Sequence, residues 1–230
     1  MVLPLRSSVA LALVLAVTGC AHAPPGRNAG TLRLYLARHG QTDWNAERRL
    51  QGGTDTHLNA TGRQQAEALA ERLRHVPLDR VYSSTLARSR ETAEIVRGSV
   101  PLESLAGLAE QRLGKFEGLR LGSGDSAVAE FERRSRDPQD GLDGGESTNQ
   151  HFERVRAAVD EVLARHPSGT VLIVGHGGTN KLILRRLLGL GPEQADAIRQ
   201  SNDELYLIEM DAAGAARLWK AIGSSNLGDL

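Results

Sequence analysis

Two apolar runs of this chain end in the same way. Leu32 to Ala37 leads into Arg38-His39-Gly40, and Thr170 to Val174 leads into Gly175-His176-Gly177. A short run of Leu, Ile, Val and Tyr with no polar alternation, closed by glycine, reads as a strand buried on both faces. Such strands belong to mainly parallel sheets covered by helices, where ligands gather at the carboxyl ends of the strands. The flanking glycines allow a ligand close to the backbone. Two histidines and an arginine delivered there suit a pocket for a doubly charged anion.

The rest of the pattern agrees with an α/β chain. Thr61 to His75 is helical, with Asn59 and Thr61 as cap candidates and Ala66, Leu69, Ala70 and Leu73 on one face. Val81 to Ser83 is a short strand and Ala87 to Val96 a helix. Ser147 to His166 is a long amphipathic helix stopped by Pro167, and another helix follows from about Thr179 to Leu188. Glu204 to Met210 and Ala216 to Ile222 are late strands around an Asp211 to Ala215 turn, so one edge of the sheet is expected to run antiparallel. The expected architecture is a three-layer α/β/α domain over residues 31–230 with a mainly parallel central sheet. Gly114 to Gly145 is polar and glycine-rich, periodic only around Val128 to Glu132, and is expected to cover the site as a small cap.

Further motifs fall in order along the chain. Gln41-Thr42-Asp43-Trp44-Asn45 continues the first histidine turn without a break. Val81 to Ala93 reads as strand, Ser/Thr turn and helix start, with Arg88 in the first helical turn. Leu108-Ala109-Glu110 places an acid after a Leu-rich stretch, with Gly114 and Glu117-Gly118 behind it. One Arg-His-Gly triplet alone is a weak signal; together, from about Leu32 to Trp219, these residues closely resemble the histidine phosphatase superfamily of phosphoglycerate mutases, fructose-2,6-bisphosphatase and broad-specificity acid phosphatases.

The chemistry is arguable from residue types. Phosphomonoester hydrolysis requires the phosphoryl charge to be held while a nucleophile attacks in line. Arginine donates a bidentate fork and stays protonated, and nearby positive charge keeps a histidine neutral and nucleophilic. The resemblance implies the roles: His39 as nucleophile forming a phosphohistidine, Arg38 and Arg88 as phosphate clamps, His176 as a second donor, and Asn45 as a further contact to the phosphate. Gln51-Gly52 matches a turn near the substrate, acting through backbone, and Gly177 lets the substrate approach. Glu110 matches the acid/base that protonates the leaving alcohol and later activates water, with Glu117 as nearest rival. His57, His75, His151 and His166 fall outside the motifs and read as structural or exposed, His151 being a minor candidate for the substrate rim. Thr179-Asn180 departs from the small apolar residues frequent after the second histidine.

Composition narrows the partners. With 28 basic and 28 acidic residues the formal charge is zero, which disfavours a nucleic-acid binder. The pattern holds no second cysteine, H-E-x-x-H helix, P-loop or dinucleotide fingerprint, so catalysis is expected to need neither metal nor cofactor. Residues 1–19, with Arg6 before an apolar Val9 to Val17 run, read as a signal peptide too short to be a comfortable membrane span. Val17-Thr18-Gly19-Cys20 resembles a bacterial lipobox, so Cys20 is the expected lipidation site and residues 20–30 a tether. That implies a cell-envelope lipoprotein, periplasm-facing on the outer membrane in a Gram-negative cell, with membrane contact through the lipid alone.

The leading expectation is therefore a phosphomonoester hydrolase acting on a small phosphorylated substrate. A phosphoglycerate mutase is the runner-up, set back by the short stretch between Glu110 and His176 and by the export signal. A catalytically inactive lipoprotein binding a phosphorylated ligand is the third; retention of Arg38, His39, Arg88, Glu110 and His176 together argues against it.

Overall fold

The structure, a computed structural model, describes residues 30–221. The expected signal peptide and Cys20 lie outside the described residues. Strands β1 (Leu32–Arg38), β2 (Arg80–Ser83), β3 (Leu102–Ser104), β4 (Gly169–Gly175), β5 (Leu205–Met210) and β6 (Ala216–Ala221) form one sheet in the order β3-β2-β4-β1-β5-β6. The pairs β1–β4, β2–β4 and β2–β3 are parallel; β1–β5 and β5–β6 are antiparallel. This is the expected mainly parallel sheet with an antiparallel edge, and the edge begins directly beside β1. β3 went unanticipated in the sequence pattern because it is three residues long and only half-buried.

The α-helices among the described residues are α1 (Asp43–Ala46), α2 (Ala60–Arg72), α3 (Ala87–Val96), α4 (Ser126–Arg134), α5 (Thr148–Arg165), α6 (Gly177–Leu188) and α7 (Pro192–Asp196), with short 3₁₀ turns at Ala106–Leu108 and Gly114–Phe116. Alternation along the strands feeds two cores. Leu34 and Leu36 of β1 and Val171 and Ile173 of β4 pack with Val155, Val159 and Val162 of α5 and Ile183 and Leu184 of α6. Tyr35 and Ala37, with Leu172 and Val174, pack instead with Leu69 of α2 and Ala93 and Val96 of α3. Each fully buried Leu, Ile or Val contributes about 1.5–3 kcal/mol, which holds the two helical layers to opposite faces.

The element ends follow local chemistry. Asn59 caps α2 by accepting from the Gly62 N–H at 2.9 Å. α2 stops at Arg72 rather than His75: Pro77 disfavours helix at Val76, and the Val76 N–H turns back to the Leu73 carbonyl at 2.9 Å. Ser147 and Gln150 close a capping box on α5, and Gly189, at φ 65°, ends α6 in the left-handed conformation. α6 begins at Gly177, two residues before the expected Thr179, with His176 as its N-cap. That shift turns the N–H groups of Gly177 and Gly178 into the free amide end of a helix.

Where the chain leaves β1 it passes tightly over α2. A Cβ on Gly62 would sit 2.1 Å from the Gln41 carbonyl oxygen, and one on Gly40 would sit 2.3 Å from the Gly62 carbonyl oxygen. Helix propensity alone favours Gly62→Ala by about 1 kcal/mol. The clash reverses that sign: Gly62→Ala is expected to destabilise the protein by about 1–3 kcal/mol, seen as a lower urea midpoint at unchanged slope. A raised midpoint would contradict the packing of the His39 turn on α2.

Candidate active site

After β1 the chain moves to one side of the sheet and after β4 to the other, so a crevice opens at their carboxyl ends. The in-register pair Arg38–Gly175 is followed by a His39 N–H bond to the Gly175 carbonyl at 3.0 Å. The next side chains on the two strands are therefore the two histidines. Their ring centroids lie 5.1 Å apart, and both residues are buried.

Local hydrogen bonds set each imidazole. His39 Nδ1–H donates to the Gly40 carbonyl at 2.7 Å, which leaves Nε2 with its lone pair. His176 Nε2 lies 2.7 Å from the Ser84 hydroxyl, whose oxygen also accepts from the Leu86 N–H. The Ser84 hydrogen is then free to point at Nε2, and His176 presents Nδ1–H. Burial pushes His39 well below its ordinary range, and Arg88 and Arg38 push it further. His176 is lowered in the same way, by burial first and then by Arg88, His39 and Arg38. Both rings are neutral in the free site.

The arginines are held by carbonyls rather than by acids. Arg88, only 1% exposed, donates to the Gly52 and Thr54 carbonyls at 2.8 and 2.7 Å. Burial lowers it to about 10. Arg38 donates to the Gln200 carbonyl at 2.7 Å, and its guanidinium carbon would lie 3.4 Å from a Cβ on Gly177. Among the described residues, Arg38 Nε, Arg88 Nε and His176 Nδ1 are buried without a hydrogen-bond partner. Arg38 and Arg88 line one cavity with His39, and unmatched donors on such side chains suit a tetrahedral oxyanion.

Glu110 is the carboxylate beside them. Its Oε2 accepts from the Gly178 N–H at 2.8 Å, and its Oε1 accepts from the Gln111 and Thr179 N–H groups at 3.0 and 3.1 Å. Burial pushes the carboxyl up, but the charge of protonated His151, the Gly178 and Gln111 amides and Arg88 together bring it below the ordinary carboxylate range. Glu117 is occupied elsewhere, accepting from the Gly53 and Leu113 N–H groups and the Thr54 hydroxyl, which braces the loop that holds Arg88.

The structure brings Arg38, His39, Asn45, Gln51, Gly52, Arg88 and Glu110 to one cavity of about 360 Å³. Asn45 is oriented by the Thr42 N–H on its Oδ1, so its amide NH₂ is the group left for a ligand. The Gly52 carbonyl holds Arg88, and the Gln51 side chain accepts from Thr42 and Thr56. Gly178 lines the cavity, while Gly177 lies under Arg38. Leu113, Phe131 of α4 and Lys181 of α6 form further parts of the wall. His57 is exposed on Glu91, and His166 bonds Tyr82. His151 is buried beside Glu110, 3.1 Å from Thr179. Arg134 is engaged by Asp140 and Asp143 and is not free for a substrate.

Sequence reasoning missed Ser84, Gln200 and Asn202. Asn202 donates to the His39 carbonyl at 2.6 Å, and the Gln200 amide joins the Leu36 carbonyl to Asn180. Ser84 lies inside a recognised motif and was within reach; the Gln200–Asn202 loop carries no local signal. Among the described residues no three His, Cys, Asp or Glu side chains are grouped as metal ligands, and no helix is long and apolar enough to cross a membrane.

Comparison with known proteins gives a consistent result. The model of the histidine phosphatase superfamily (branch 1) matches residues 34–221. A Shigella boydii protein named probable phosphoglycerate mutase GpmB is 33% identical over 199 residues, which cover 84% of this chain and 89% of that one. The solved alpha-ribazole phosphatase of Shigella flexneri superposes with a TM-score of 0.74 at 28% identity, covering 84% of this chain and 100% of that one. Mycobacterial glucosyl-3-phosphoglycerate phosphatase does so with a TM-score of 0.71 at 27% identity, over 85% and 99% of the two chains.

The lowered histidines link stability to pH. As pH falls below about 6.5, the ordinary histidine value, the unfolded chain binds protons that the folded site refuses. Stability is then full above that value and declines as pH falls toward the folded-state values of His39 and His176. Urea unfolding from pH 7 to 5 is expected to show this decline, and His39→Gln to flatten it. An equal slope in both proteins would mean that His39 is not held neutral.

Proposed function

The chain belongs to the histidine phosphatase superfamily (branch 1), and we propose that it is a phosphomonoester hydrolase working through a phosphohistidine. The observation that carries this reading is the set of unpartnered donors, Arg38 Nε, Arg88 Nε and His176 Nδ1, on the two arginines that share a cavity with His39 and on the imidazole 5.1 Å from it. An anion about 4 Å from one guanidinium gains about 4 kcal/mol at an effective dielectric near 20, and two arginines face this site. His39 Nε2 attacks phosphorus as the P–O bond to the alcohol breaks. The alcohol oxygen takes a proton from the Glu110 carboxyl. Water then attacks the phosphohistidine while Glu110 accepts its proton, and the P–N bond breaks to return neutral His39 and free phosphate. Asn45 adds a donor to the phosphoryl oxygens.

The substrate class is a small phosphomonoester. The wall beyond the phosphate site combines Leu50, Leu113 and Phe131 with Arg49, Gln111 and Lys181, a mixed surface for the alcohol portion. Solved neighbours named as phosphatases of small phosphate esters support this class. Phosphate release from p-nitrophenyl phosphate without added metal, reduced at least 10³-fold by His39→Ala, is the expected result. Acid-labile ³²P on the wild-type protein after a quench marks the intermediate. Release unaffected by His39→Ala would end this reading.

Mutase activity is the second reading, favoured by relatives named probable phosphoglycerate mutase GpmB. It requires phosphoryl exchange that depends on a bisphosphate primer, which a hydrolase does not show. The proposal also includes export and a lipid anchor at Cys20, and rests there on the sequence pattern alone. Membrane-fraction protein carrying acyl label, with label lost in Cys20→Ser, is the expected outcome.

A further inference from the structure

The start of α5 packs His151 beneath Glu110. The ring is 2% exposed, with Nε2 3.1 Å from the Thr179 hydroxyl and 3.9 Å from Glu110 Oε1. Thr179 is fully buried, and its hydroxyl lies 2.9 Å from the Ala109 carbonyl and 3.3 Å from Glu110 Oε1. A hydroxyl has one hydrogen and two lone pairs. The Ala109 carbonyl and an ionised Glu110 both only accept, so the Thr179 hydrogen goes to one of them. His151 Nε2 is then the donor, and Thr179 the acceptor from it.

The two oxygens of Glu110 consequently differ. Oε1 faces the Gln111 N–H, the Thr179 N–H and the Thr179 hydroxyl, whereas Oε2 faces the Gly178 N–H. Resting on the phosphomonoesterase reading, we propose that His151 is a positioning residue for Glu110. Acting through Thr179, it keeps Oε1 an acceptor and leaves Oε2 to carry the proton given to the leaving alcohol. His151 touches no substrate in this role.

Nε2 donates to Thr179 in either charge state of the ring. Burial lowers His151 below its ordinary range against the opposing pull of Glu110. The other charged or titratable groups acting on it are Glu146 ahead of α5 and Arg154 on α5, which pair with each other at 2.6 Å, and His176 at the start of α6. A positively charged His151 is not required.

The test uses leaving-group dependence, which a purely structural histidine does not produce. Nitrophenolate leaves without a proton, whereas an alkoxide needs one. In His151→Leu, kcat/KM for glycerol 2-phosphate is expected to fall at least 10-fold, within the range general acids supply, and less than about 3-fold for p-nitrophenyl phosphate. The alkaline limb of the alkyl-phosphate profile should move to higher pH, because the carboxylate loses a donor and holds its proton to higher pH. Thr179→Val should reproduce both effects. His151→Gln, which places an amide N–H where Nε2 lies, should restore alkyl-phosphate hydrolysis and guards against a folding artefact in the leucine variant. A ¹³C-carboxyl titration of Glu110 reads the same coupling without turnover and should move upward in His151→Leu. Equal losses on both substrates with an unmoved Glu110 titration would overturn the proposal. If the wild type hydrolyses neither ester but the Glu110 titration moves, the hydrolase reading fails and the role of His151 stands.

Discussion

The parallel pairing of β1 with β4, closed by the His39 N–H bond to the Gly175 carbonyl, is the constraint on which the site depends. Side chains alternate along a strand, so a one-residue slip would send each histidine to the other face. In register, the two strands end level and deliver two imidazoles into one crevice. β2 pairs with β4 in the same direction, Ser83 opposite Val174, so its end supplies Ser84 to His176 and starts the helix that carries Arg88. Three strand ends, from distant parts of the chain, converge because each pair is parallel and the middle one is β4.

That convergence concentrates positive charge in a dry place, and the structure manages it with dipoles. Arg88 is held by two backbone carbonyls and Arg38 by one, so neither arginine is neutralised by the groups that orient it. An acid in place of those carbonyls would cancel the field that the phosphate needs. The same field, with burial, keeps His39 neutral. Phosphate affinity and nucleophile basicity thus arise from one arrangement, whose unmatched donors lower the stability of the free protein.

The layered fold and most of the site were legible because they are written in local patterns. The apolar runs before His39 and His176 gave the two central strands, and the cap candidate Asn59 and the amphipathic run from Ser147 to Pro167 gave two helices. Arg88 was legible because it stands in the first turn of a helix after a Ser/Thr turn. What was not legible depends on tertiary contact. Motif spacing favours Glu110 over Glu117, but the physical reason, that Glu117 braces the loop around Gly53 and Thr54 while Glu110 sits in the crevice, lies in tertiary contacts. His151 looks like any helix histidine until α5 packs it on Thr179. Gln200 and Asn202 act through amides on backbone carbonyls, which leaves no periodicity to read.

The position of Glu110 also couples substrate charge to proton delivery. Its carboxylate sits on the first amides of α6, a site that commonly favours an anion. In the free protein those amides, with His151 and Arg88, keep it ionised, which is the wrong state for protonating a leaving group. A phosphate dianion entering between Arg38 and Arg88 offsets the positive charge that favours the carboxylate and adds a like charge nearby. Both changes raise the proton affinity of Glu110. On the proposed hydrolase reading the acid is then armed by its substrate, while burial with Arg88 and Arg38 keeps the His39 lone pair. Placing the carboxylate on the helix and the phosphate on the arginines gives each anion its own partner and still leaves them close enough to exchange a proton.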